Sequence, residues 1–253
     1  MSLFEPTIPF GEPELMRVSA FQRYLHEPGG PRARVVAEAG SGQPGLSQSL
    51  LADLMRFEHS GQASEALEVL AACVRHAQHV VVHLQMGDSV VPLTVFAVDR
   101  LVHCPVPVDA LLLKRPTELR VLHVEPAVLR PPGDAEASLV GEGQHYHPLR
   151  PLLWELALRG ARSTLLPEIA GQVAYRVAPG VDLSGLRVAG ALPAAIQKLQ
   201  GDRYTLREMS DWPGFDNERA SRLLNALYLQ SGLIVSRTRP TGFGESFFGA
   251  LGR

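Results

Sequence analysis

The strongest constraint in this sequence is the punctuation between Leu192 and Ser236. Leu192–Leu199 has helical spacing, with Ile196 and Leu199 on one side, and stops at Gly201-Asp202. Thr205 followed three residues later by Glu208 is a capping box, which predicts a short helix over Leu206–Trp212. Pro213-Gly214 ends that helix. Asp216 then caps a longer one, reaching about Ser231, with Ala220, Leu223, Leu224, Leu227 and Tyr228 on its apolar side. Gly232 stands where a C′ glycine is expected, and Leu233–Ser236 reads as a short strand.

Upstream, the apolar spacing alternates between helix and strand. Glu14–His26 predicts a short helix after a Pro-containing arm, and Arg34–Ala39 a weak strand. Leu46, Leu50, Leu51, Leu54 and Phe57 mark a helix, and a second one, capped by Ser64, extends to about Ala77. Val80–Gln85, a turn at Met86–Ser89 and Val90–Ala97 form a hairpin, with Leu101–Cys104 beside it. A short helix over Val108–Lys114 and a strand over Leu119–Glu125 follow. Pro148–Arg159 predicts a buried helix around Trp154, Leu165–Val173 a second helix, and Tyr175–Ala178 a strand. The expectation is an α+β chain, a mixed α/β layer domain followed by a mostly helical C-terminal part. Its divisions are an arm and short helix at 1–31, the mixed domain at 32–130 and a Pro/Gly-rich linker at 131–147. The helical part follows at 148–240, then an aromatic tail at 241–253.

The helix, short helix, tight turn, longer helix and strand of the region from Thr205 to Val235 resemble the bacterial winged-helix family. The region is also similar to the winged-helix-like modules that end some bacterial regulatory or adaptor proteins. The likeness covers about residues 190–240, a fifth of the chain, and implies a shape rather than an activity. A DNA-reading member would present cations from its second helix to phosphates and base edges, here Arg219 and Arg222, with Arg237 and Arg239 on the strand side. That helix instead opens with Asp216-Asn217-Glu218. From Lys198 to Arg253 eight cations face six carboxylates, a surplus too small for a groove binder, which needs a cation for each phosphate it contacts.

Composition narrows the function classes further. The net charge of −2 gives no general attraction to nucleic acid or anionic membrane, and no stretch approaches the roughly 20 apolar residues of a membrane span. Two isolated cysteines, Cys73 and Cys104, and no secretory pattern at Met1–Thr7 point to a reducing, cytoplasmic setting. Arg outnumbers Lys so heavily (only Lys114 and Lys198 occur) that a GC-rich bacterial source is expected.

Chemical motifs are few. Gly40-Ser-Gly42-Gln-Pro-Gly45 matches the dinucleotide fingerprint and would make the chain a nucleotide-binding enzyme. Pro44, however, withholds an amide, and Glu58–Ser64 is no strand for the following helix to reach. His103-Cys104 lacks the arginine six residues after the cysteine that a Cys-dependent phosphatase loop requires, since that position is Ala110. His76, His79 and His83 would share a helix face as metal ligands, but a strand over Val80–Leu84 scatters them, and His145-Tyr146-His147 is a weak loop pair. Glu38, Asp88, Asp99, Asp109 and Glu125 have no spacing that predicts acid–base work. No catalytic residue, cofactor or metal is therefore expected. The tail from Phe243 to Arg253 is too rich in glycine to build a core, which makes Phe243, Phe247, Phe248 and Leu251 the expected partner-binding residues. The sequence thus predicts a non-catalytic adaptor or regulatory protein that binds another protein, as a monomer or a homodimer. A DNA-binding transcription regulator is the first alternative.

Overall fold

Alternating valine and leucine, then a glycine, shape the first strand pair. The protein is described by a computed structural model covering residues 15–27, 45–59, 65–113 and 116–237. Strand β1 (His79–Met86) buries Val80, Val82 and Leu84 on one face and carries His79, Val81 and His83 on the other. It returns through Gly87-Asp88 into β2 (Ser89–Phe96), with Met86 opposite Ser89. Gly87 adopts φ +61, the conformation for which a two-residue hairpin turn uses glycine. Strands β3 (Leu101–His103), β4 (Arg120–Pro126) and β5 (Tyr146–Pro148) complete an antiparallel sheet in the order β4-β1-β2-β3-β5. The central strand is β2, and it is buried on both faces. Val91, Leu93 and Val95 join the main core, while Val90 lies on the opposite side beneath Phe21 and Leu25.

Those two residues belong to α1 (Val18–His26), which is pinned to the hairpin turn by Val18 N donating to Asp88 O at 2.9 Å and Val90 N donating to Met16 O at 2.8 Å. The main core lies on the other face. There α2 (Gln48–His59), α3 (Ala66–Arg75), α4 (Val108–Leu113) and α5 (Leu149–Arg159) share one hydrophobic cluster with β1, β2 and β3. Helix α5 is apolar nearly all round, with Leu149, Leu152, Leu153, Trp154, Leu156 and Ala157 buried, as a helix between two layers must be.

The C-terminal part adds β6 (Val173–Val177), α6 (Leu192–Gly201), β7 (Tyr204–Thr205), α7 (Leu206–Ser210), α8 (Asn217–Leu229) and β8 (Leu233–Arg237). Its strands form a second antiparallel sheet, ordered β7-β6-β8. The capping box forms: Glu208 N donates to Thr205 Oγ1 at 3.3 Å, and Thr205 N donates to Glu208 Oε2 at 2.7 Å. Asp216 accepts from Arg219 N at 2.7 Å and caps α8. Helices and antiparallel sheets together make the chain α+β.

Three expectations change on contact with the structure. Leu165–Val173 is not a helix but a single 3-10 turn, Pro167–Ile169, whose flanks are held by tertiary bonds: Leu166 N donates to Asn225 Oδ1, and the Tyr175 hydroxyl donates to Ile169 O. The stretch at 131–147 does not stand apart as a linker, because β5 begins at Tyr146 and pairs with β3, while one apolar cluster runs from Leu50 through α5 to Leu229. At the end of α8 the left-handed residue is Ser231, at φ +57, and Gly232 follows it. Gly232 N donates to Leu227 O and Ser231 N to Tyr228 O, both at 2.9 Å, which is a Schellman ending with serine at C′. Glycine is needed at 232 for space instead: a Cβ there would lie 2.4 Å from Val181 Cγ2.

Candidate functional site

Helix α8 is the helix to which the winged-helix resemblance would assign DNA reading. Its Arg222 and Asn225 side chains turn toward the rest of the chain. From Ala220 to Leu229 every residue is buried except the half-buried Arg222 and Tyr228. Arg222 Nη1 donates to Leu158 O at 3.0 Å and Gly160 O at 2.9 Å, and its Nη2 meets Glu218 Oε1 at 2.9 Å. A guanidinium thereby satisfies carbonyls at the C-terminal end of α5, which have no partner within their own helix. Asn225 is fully buried and supports the 164–166 segment, donating to Thr164 O and accepting from Leu166 N, both at 2.9 Å.

The exposed start of α8 is Asn217-Glu218-Arg219. Arg219 Nη1 donates to Gly214 O at 2.8 Å, and its guanidinium carbon lies 5.6 Å from the Phe215 ring centre. Of the four arginines proposed for DNA, Arg237 is exposed at the end of β8, and Arg239 lies outside the described residues. Phe243, Phe247, Phe248 and Leu251 also lie outside them, as does Gly40–Pro44 of the fingerprint loop.

The histidines do not gather. His76 Nε2 meets Asp53 at 2.7 Å, His79 meets Asp99 at 3.3 Å, and His83 meets Glu125 at 2.8 Å, so each has its own carboxylate. Among the described residues no group of three or more His, Cys, Asp or Glu side chains is placed to hold a metal ion. His103, His145 and Tyr146 pack edge to face at the β3–β5 pair, where His103 is half-buried. Burial, followed by the charges of His145 and His147, pulls the His103 pKa down, with Glu142 acting weakly against them. Neither thiol is poised for chemistry: burial pushes Cys73 up to about 12 and Cys104 up to about 11.

A cavity of about 400 Å³ opens between α4, α5 and the loop around Gly185–Arg187. Val108, Leu112, Pro151 and the buried Trp154 form its apolar walls. Trp154 Nε1 donates to Arg187 O at 3.0 Å, which seats the loop on α5. Charged side chains also line it: Glu155 and Arg159 pair with each other at 3.2 Å, one turn apart on α5, while Asp109 and Arg187 are exposed. Sequence reasoning singled out none of the four for a site. Their only trace is a carboxylate set within each of two apolar helices, at Asp109 and Glu155, which on its own reads as a solvated helix face.

No family model, curated protein or solved structure matches this chain. Among the described residues no helix is long and apolar enough to cross a membrane.

Proposed function

We propose that this chain is a non-catalytic bacterial adaptor or regulatory protein of the cytoplasm that works by binding another protein, its C-terminal winged-helix-like unit serving as scaffold. The observation that carries the reading is the burial of α8. A helix that reads DNA must lay one face in the major groove, whereas this one uses Arg222 and Asn225 to bind its own chain. The buried, protonated thiols and the scattered histidines support a role without covalent or metal chemistry.

The test compares the full chain with one ending at Pro240, each immobilised and exposed to lysate of the source bacterium. A single protein retained stoichiometrically by the full chain and lost from the shorter one is the expected outcome. A salt-dependent mobility shift of random duplex at low micromolar protein, abolished by Arg237→Ala with Arg239→Ala, would replace this reading with that of a DNA-binding regulator. Turnover of a nucleotide or ester substrate would end it.

A further inference from the structure

We infer that the cavity between α4, α5 and the Gly185–Arg187 loop binds a small dipolar molecule, an apolar body that carries both an ammonium and a carboxylate. This goes beyond the proposed protein-binding role and does not depend on it.

The size fits, since about 400 Å³ falls within the range of small-molecule pockets, which are mostly apolar with a few polar groups that fix orientation. The body of the ligand is selected by Val108, Leu112, Pro151 and Trp154. Trp154 presents only its ring face or edge to the cavity, because its single donor is spent on Arg187 O. Selection of the ends follows from charge accounting. Glu155 and Arg159 neutralise each other at 3.2 Å. Asp109 on α4 and Arg187 on the loop line the same cavity with opposite sign, yet neither is in an ion pair or a side-chain hydrogen bond among the described residues. Two opposite charges held at different walls of one apolar cleft, and not closed on each other, are satisfied together by a molecule that carries both signs. A purely anionic ligand would leave Asp109 facing it, and a purely cationic one would leave Arg187.

The experiment is calorimetric titration of the full chain with 4-(aminomethyl)benzoate and with L-phenylalanine, whose charges are respectively separated and adjacent. Each is run against single-charge analogues, 4-methylbenzoate and 4-methylbenzylamine for the first, 3-phenylpropanoate and phenethylamine for the second. At least one of the two zwitterions is expected to bind about threefold to fivefold more tightly than either of its analogues, the worth of a partly exposed ion pair. Asp109→Asn and Arg187→Ala should each remove that preference without lowering the melting temperature, since both side chains are exposed. Val108→Phe, which enlarges a wall residue in the first turn of α4, should abolish binding in a chain that still melts cooperatively. Absence of binding by both zwitterions at millimolar concentration overturns the inference. So does equal binding of zwitterions and single-charge analogues, or binding indifferent to both charge substitutions.

Discussion

Removing the Arg222 side chain separates a structural from a recognition role for α8. In the fold its guanidinium donates to two carbonyls at the end of α5 and meets Glu218, with 15% of the side chain exposed. Hydrogen bonds from a charged donor contribute about 1.5–3 kcal/mol, and here two of them share one nitrogen. The exposed partner Glu218 adds at most about 1 kcal/mol. Arg222→Ala should therefore destabilise the chain by about 3 kcal/mol, part of it the cost of leaving the Leu158 and Gly160 carbonyls without a partner. At about 2–4 °C per kcal/mol for a chain of this size, the melting temperature should fall by about 6–12 °C. Arg219→Ala is the internal control. It loses one exposed bond to Gly214 O and a ring contact, and should cost about 1 kcal/mol or less. Arg222→Lys should fall between, because a single ammonium lacks the fork that reaches carbonyls and carboxylate together. Urea denaturation followed by far-ultraviolet circular dichroism, with the slope unchanged between variants, gives the differences directly. A loss below about 1 kcal/mol for Arg222→Ala, or one equal to that of Arg219→Ala, would refute the assignment of this arginine to the α5 terminus.

Gly232→Ala should destabilise by about 1–3 kcal/mol, because the new methyl would stand 2.4 Å from Val181 Cγ2; a stability equal to the parent chain would show that the Val181 loop yields freely. Cys73 and Cys104 should resist iodoacetamide at pH 8 in the native protein and react in urea, as read by intact mass, and fast native labelling would contradict their burial. The folded pKa of His103 lies below its ordinary value of 6.5, so the unfolded chain takes up that proton first as pH falls. Its contribution is fully present above pH 6.5 and is lost as pH drops through the folded pKa. Urea midpoints measured downward from pH 7 should thus fall less steeply in His103→Gln than in the parent.

The parts of the fold that were legible in the sequence are those whose signal is local. The capping box at Thr205 and Glu208, the Asp216 cap and the valine-rich run into Gly87 each specify their geometry within a few residues, and each forms. Leu165–Val173 misled because its apolar spacing suits a helix, while Asn225, 59 residues on in sequence, takes the Leu166 amide and holds the segment open. Strand β5 was not legible at all: Tyr146–Pro148 is three residues long, and its pairing with Leu101–His103 is a long-range event without a propensity signal. The cavity was hidden for the same reason. Asp109, Glu155, Arg159 and Arg187 come from three separate segments, and only packing of α4 and the Gly185–Arg187 loop against α5 brings them around one space.

The central strand of the small sheet, β6, enters from the amino-terminal side of the helices it serves, running antiparallel to both β7 and β8. A fragment cut at residue 190 would thus retain three helices and two outer strands with nothing between them, their main-chain groups left to water or to a stray chain. This trihelical piece is consequently not a portable cassette. Any transplant, truncation or fusion meant to carry it intact has to start ahead of Val173, and with α5 packed along α8, ahead of Leu149 as well.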